Sequence, residues 1–162
     1  MNELLSRAEL FENLGLEGIR RLSTIGQTRT LAEGEYLFLL GDNADYLYVV
    51  TRGKVDLCFP MSLRTVVQDV PVESAGPGKL VGWSAMVKPY RFTLSARAAE
   101  DSQVVGFRRH DLQQLFTSSP EIGLRLLTKL SEIVGIRLLM FQALWARELQ
   151  RALLAESEQV SQ

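Results

Sequence analysis

Residues able to do chemistry are few in this chain, and their scarcity excludes most reactions. Cys58 is the single cysteine and His110 the single histidine. An intramolecular disulfide, a cysteine-rich zinc site and an iron–sulfur cluster held by four thiolates are therefore ruled out. Cys58 sits in Val55-Asp56-Leu57-Cys58-Phe59, a strand-like run in which a cysteine behaves as a small buried hydrophobe. His110 follows Arg108-Arg109 and precedes Asp111 at the polar opening of a helix, where a solvated imidazole is expected rather than a haem ligand or a base. Carboxylates working without histidine would have to converge in pairs, and Asp and Glu are scattered over polar segments with no such pattern. The expectation is a protein with no catalytic residue and no metal ligand, and so not an enzyme.

The bulk composition narrows the partners. A chain of 162 residues with 46% hydrophobic side chains is the size of one globular domain with a substantial core. A net charge of -1 and a pI near 5.9 supply no overall positive field of the kind that contact with DNA phosphates needs. Met1 to Glu12 carries Glu3 and Glu12 among its leucines and has no long apolar run, which argues against a signal peptide or a membrane span. A cytoplasmic protein that contacts neither membrane nor, by itself, DNA is expected.

Three periodicities follow one another along the chain. Residues 1–27 read as two short helices, with Leu4, Leu5, Leu10, Phe11, Leu14, Ile19, Leu22 and Ile25 near the helical period and breaks at Gly15 and Gly26. Residues 28–108 change to short β-rich runs: 36–40, 46–50, 55–59, 65–67, 79–81, 93–96 and 103–107. Gly34, Gly41, Gly53, Gly76 and Gly78 punctuate them, a pattern of antiparallel strands in a barrel or roll rather than βαβ units. Residues 109–155 return to the helical period, with Ser118-Ser119-Pro120-Glu121 as a helix start and no proline from there to about Leu154. Residues 156–162 form a polar tail.

The long helix carries two apolar stripes. Leu124, Leu127, Val134, Leu138, Phe141, Trp145 and Ala152 fall on a three–four alternation, interrupted at Ser131 and Glu148. Leu126, Leu130, Ile133, Met140 and Leu144 make the second. A helix apolar on two sides needs two partners: its own roll and a second copy of the chain, with Leu127, Val134, Leu138, Phe141 and Trp145 at the dimer interface. The alternative is a monomer whose core takes both stripes. Gly123 and Gly135 cost about 1 kcal/mol each relative to alanine, a cost that a close helix approach or a bend near Gly135 would explain.

This order of elements resembles that of cyclic nucleotide-binding domains of the catabolite activator protein and Fnr-like regulators. Leu31-Ala-Glu-Gly34-Glu-Tyr36-Leu-Phe38 is similar to the family's first glycine turn and strand. Gly41-Asp-Asn-Ala-Asp-Tyr-Leu-Tyr-Val-Val-Thr-Arg-Gly53-Lys-Val55 resembles its glycine–acid corner, alternating strand and second glycine corner. Ala75-Gly76-Pro77-Gly78-Lys79-Leu80-Val81-Gly82 looks like the turn and strand that lead into the phosphate-binding cassette, and Arg97-Ala98 with Glu100-Asp101-Ser102 like the strand that leaves it. The resemblance covers about residues 10–150. It implies a mainly β fold with flanking helices, a jelly-roll-like double-stranded β-helix followed by a long C-terminal helix.

The cassette, residues 82–98, departs from the family at two positions. In the family, backbone amides at a short helix start, a glutamate just after the glycine and an arginine hold the ribose and cyclic phosphate. By that resemblance the ligand-binding set here is Gly82, Trp83, Ser84, Ala85, Arg91, Phe92, Thr93 and Ser95. Trp83 stands at the glutamate position, and counting from either end of the stretch puts Phe92 at the arginine position. Arg91 is its neighbour, and on a strand it would point to the opposite side. Thr93 and Ser95 match the small hydroxyl positions. Losing the arginine leaves a buried phosphate without its main partner, a penalty of roughly 2–5 kcal/mol.

Three readings follow. Trp83, Tyr90 and Phe92 close the pocket or make it aromatic, so that it takes no nucleotide or a more apolar ligand. A rearranged cassette using Arg91 still binds cyclic AMP or GMP. Or the pocket is filled as core and the domain serves dimerisation or protein interaction. The resemblance implies no resident cofactor, only a possible small-molecule ligand. With no helix-turn-helix segment visible after Leu154, the expected role is a stand-alone regulatory sensor that signals through its long helix to a homodimer partner or a protein effector.

Overall fold

The computed structural model describes residues 2–63 and 66–160. It forms two compact units, Met1–Lys129 and Leu130–Gln162. The first begins with α1 (Asn2–Ser6), a 3-10 turn at Glu9–Phe11 and α2 (Gly15–Ile25). Eight strands follow among the described residues: β1 (Gly26–Leu31), β2 (Tyr36–Phe38), β3 (Tyr46–Arg52), β4 (Val55–Leu63), β5 (Val66–Ala75), β6 (Leu80–Val81), β7 (Ser95–Ala98) and β8 (Ser102–Arg108). α3 (Arg109–Ser118) comes next, then α4 (Pro120–Val160), which runs on as the second unit. The strands make two antiparallel sheets, ordered β1-β8-β3-β6 and β2-β7-β4-β5. This is the jelly-roll arrangement that the sequence predicts.

Alternation along β3 and β8 explains how the sheets are covered. Val105 and Phe107 pack toward the N-terminal helices, where the Phe11 ring meets Phe107 edge-on at 5.4 Å. The alternate residues, with Tyr48 and Val104 among them, face the roll interior, and Tyr48 stacks with Phe38 of the other sheet at 6.0 Å. Cys58 is fully buried on β4, and His110 is exposed at the start of α3.

Several elements differ from the sequence expectation. β1 has no apolar signature, because Gln27, Thr28, Arg29 and Thr30 are all exposed. β5 is ten residues long where only 65–67 were expected, and it tolerates Pro71 because it is the edge strand of its sheet. Thr65 lies outside the described residues. β7 starts at Ser95 rather than at residue 93. α4 continues to Val160, into the segment read as a tail, whose last two residues lie outside the description.

α4 starts at Pro120 as expected, but the role of Ser119 and the reasons for the two glycines differ one from another. Ser119 is buried, and its hydroxyl takes a hydrogen bond from the Arg21 guanidinium of α2 instead of capping with its side chain. Gly123 is the close approach: a Cβ there would lie 2.9 Å from Phe116 Cβ of α3. A Cβ at Gly135 would meet nothing within 4 Å, so close packing does not explain that glycine.

Candidate functional site

The cassette is built from a left-handed glycine and a stitched return loop. β6 delivers Gly82, whose φ of 78° starts the 3-10 turn Trp83–Met86. That turn is closed by the Ala85 N–H donating to the Gly82 carbonyl at 3.0 Å and the Val87 N–H to the Ser84 carbonyl at 3.3 Å. The return strand lies against the glycine–acid corner. Gly41 N–H donates to the Phe92 carbonyl at 2.8 Å, Phe92 N–H to the Asp42 carbonyl at 3.0 Å, and Ala44 N–H to the Tyr90 carbonyl at 2.8 Å.

Tyr90 has a φ of 61°, an uncommon left-handed conformation for a bulky residue. Arg109 holds it there. The guanidinium carbon lies 4.3 Å from the Tyr90 ring centroid, and the same group donates to the Ala44 carbonyl at 3.2 Å and to the Asp45 carboxylate at 3.0 Å. Tyr90 therefore serves the loop rather than the pocket.

Phe92 occupies the centre of the cassette. It is 5% exposed, and its ring stacks on Phe38 with centroids 3.6 Å apart and planes 8° from parallel. Gly82 makes room for the pair: a Cβ there would come within 3.1 Å of Phe92 and 3.4 Å of Phe38. What remains is a cavity of about 20 Å³, lined by Phe38, Leu57, Gly82, Trp83, Ser84, Phe92, Thr93 and Leu94. That holds about one water molecule, whereas a drug-sized ligand needs a cleft of roughly 300 Å³ or more. Among the described residues no cation or carboxylate lines it.

The sequence-derived residues divide accordingly. Gly82, Trp83, Ser84, Phe92 and Thr93 share the cavity wall. Ala85 is fully buried and does not line it. The Ser95 hydroxyl accepts the Leu40 N–H at 3.0 Å, which occupies it with backbone. Arg91 is exposed, lies outside the cavity and donates to the Gly41 carbonyl at 2.8 Å. Phe38, Leu57 and Leu94 complete the wall without having been singled out, because nothing in local spacing pairs β2 with the cassette. Arg109 was also missed as the clamp on Tyr90.

Burial sets the titration of the two nearest ionisable core groups. The Cys58 thiol and the Tyr48 phenol are both pushed above their ordinary values, chiefly by desolvation. On α4, Leu127, Leu138, Phe141 and Trp145 are exposed at 45%, 56%, 47% and 68%, and Val134 is half-buried. The second stripe splits: Leu126, Leu130 and Ile133 are buried, Met140 and Leu144 exposed.

Comparison with known proteins places this geometry. The N-terminal domain of a transcriptional regulator from Streptomyces coelicolor A3(2) superposes with a TM-score of 0.71 at 29% identity, over 83% of this chain and 94% of that one. The Cyclic AMP receptor protein of Thermus thermophilus is 29% identical over 116 residues, 70% of this chain and 51% of that protein. A cyclic nucleotide-gated potassium channel of Mesorhizobium japonicum is 27% identical over 121 residues, 75% of this chain and 31% of the channel. The chain thus spans between about a third and a half of the length of these two curated relatives. The model of the cyclic nucleotide-binding domain matches residues 28–119, more than half of the 162 residues, with the β-roll and cassette inside the match: this protein belongs to the cyclic nucleotide-binding domain family.

Proposed function

We propose that this chain is a regulatory module whose cassette is closed by its own Phe92, with cyclic nucleotide recognition lost or altered, and which signals through α4. The carrying observation is the Phe92–Phe38 stack, which leaves a cavity of about 20 Å³ where a ligand would lie. The relatives whose names state a role are regulators and a channel, which supports a regulatory rather than an enzymatic reading. A ligand entering the cassette must displace Phe92, and it can act only to the extent that it binds the opened arrangement better than the closed one. The exposed stripe on α4, Leu138, Phe141 and Trp145, supports a homodimer as the first partner and a protein effector as the second. The rival reading, a cassette rearranged to use Arg91, has less support because that guanidinium is engaged at the Gly41 carbonyl.

Thermal unfolding with millimolar cyclic AMP and cyclic GMP tests the reading. Binding a hundredfold above Kd would stabilise the fold by about 2.7 kcal/mol and raise the Tm by several degrees. No shift is expected from either nucleotide. A saturable upward shift overturns the closed-cassette reading, and its loss in Arg91→Ala would then favour the rearranged one.

A further inference from the structure

A second cavity, of about 350 Å³, lies at one end of the sheet β1-β8-β3-β6 and is far larger than the cassette cavity. Thr30, Gln103 and Arg52 reach it from three adjacent strands. Thr30 and Arg52 each pair with Gln103 in the ladders, and directly paired residues project to the same side of a sheet. The register of β3 shifts between Val50 and Arg52, so that Thr51 is an extra residue and Arg52 is turned to face Gln103. Gly53 then passes so close to the next turn that a Cβ would lie 2.6 Å from the Asp101 carbonyl, which brings Arg52 beside Asp101.

The polar groups of this cavity are partly committed: the Ser102 hydroxyl is taken up by Lys54 and the Glu100 carbonyl, whereas Arg52, Asp101 and Gln103 keep hydrogen-bonding capacity. Thr51 Oγ1 is 3.0 Å from the Gln103 carbonyl and 3.3 Å from Gln103 Oε1, which turns the amide oxygen toward Thr51 and leaves its NH2 to donate elsewhere. Among the described residues Arg52 has no hydrogen bond or ion pair, and it is exposed. Asp101 spends one carboxylate oxygen on the Glu33 N–H at 3.0 Å. An arginine and an aspartate therefore line one cavity without pairing with each other.

We propose that this cavity binds a small zwitterion of the α-amino acid class. The carboxylate lies on the Arg52 guanidinium, whose planar fork suits it, with the Gln103 amide and the Thr30 hydroxyl as further donors. The ammonium group faces Asp101, which also disfavours a plain anion through like-charge repulsion. Ala32 supplies apolar wall for a side chain. The site is independent of the cassette, so its failure leaves the proposed function untouched.

Titration of the isotopically labelled protein with L-leucine, followed by amide NMR, tests it. Saturable shifts are expected at Gly53, Asp101 and Gln103, with the cassette amides of Trp83 and Phe92 unmoved. 4-Methylpentanoate, which is leucine without the ammonium group, should bind more weakly, and R52Q and D101N should each weaken leucine by about tenfold. Both changes are at exposed positions, and unchanged melting temperatures verify the fold. Absence of saturation at tens of millimolar leucine, undiminished binding by R52Q, or equal binding of 4-methylpentanoate and leucine overturns the proposal.

Discussion

Phe92 fills the centre of the cassette. The family frame is intact around it: Gly82 is left-handed and the 3-10 turn is formed. Phe92 is an apolar ring at the position that the family resemblance would give to an arginine, and it is buried against Phe38. Phe92→Ala should therefore cost about 3 kcal/mol or more of stability, the usual range for emptying a buried phenyl site, measured by urea denaturation. A loss below 1 kcal/mol would show that the ring does not pack as described. Cys58 offers a second residue-level check. It is fully buried and its thiol is raised by desolvation, so an aromatic disulfide reagent should label it only as fast as the fold opens. Rapid labelling of the native protein would contradict its burial.

At the scale of elements, the long hairpin of β4 and β5 joins the roll through the β4–β7 ladder and also through a side chain of β2. The Tyr36 hydroxyl of β2 donates to the Asp69 carboxylate of β5 at 2.7 Å, and the Arg97 guanidinium lies 5.9 Å from the Tyr36 ring centroid. The hydrogen bond to Asp69, then desolvation, raise the Tyr36 pKa above 10.0. A raised folded pKa means that the contribution is fully present below the unfolded value and is lost as pH rises through the folded one. Stability should thus fall in wild type as pH climbs above about 10, and Tyr36→Phe should fall less steeply, in denaturant titrations across that range. Equal slopes would show that the pair does not couple the hairpin to β2. These elements also mark what was legible beforehand. The glycine corners, the alternation in β3 and β8 and the α4 start follow from local chemistry, whereas the reading of Phe92 in an arginine's place came from the family resemblance alone. β1 was hidden because its side chains are polar and exposed, and its place is set by pairing with β8 across the whole roll. The Phe38–Phe92 stack and the Arg109–Tyr90 contact are likewise long-range, with no spacing that announces them.

At the scale of the whole molecule, the second unit poses the question of association. α4 has 41 residues and so extends roughly 60 Å, and a helix in water draws most of its stability from a covered apolar face. From Ile136 to Leu154 the helix leaves many apolar side chains uncovered: Ile136, Leu138, Leu139, Met140, Phe141, Leu144, Trp145, Leu149, Leu153 and Leu154 are each more than 40% exposed. Single exposed leucines need no explanation, but a run of this length exceeds what a monomer ordinarily leaves in water. Leu127, Val134, Leu138, Phe141 and Trp145 recur at three–four spacing, the pattern that two copies of one helix satisfy reciprocally about a two-fold axis. The polar interruption at Glu148 does not oppose this, because Arg151 pairs with it at 2.9 Å within the helix. A carboxylate at Phe141 would be set near its symmetry mate and buried without a partner. Phe141→Glu should therefore weaken the dimer by about a hundredfold, or roughly 2.7 kcal/mol, in sedimentation equilibrium, while the circular dichroism of the β-roll is unchanged because Phe141 lies outside the first unit. A wild-type chain that sediments as a monomer at tens of micromolar would instead assign the α4 stripe to a protein effector, and the same substitution would then be expected to abolish that association without touching the cassette.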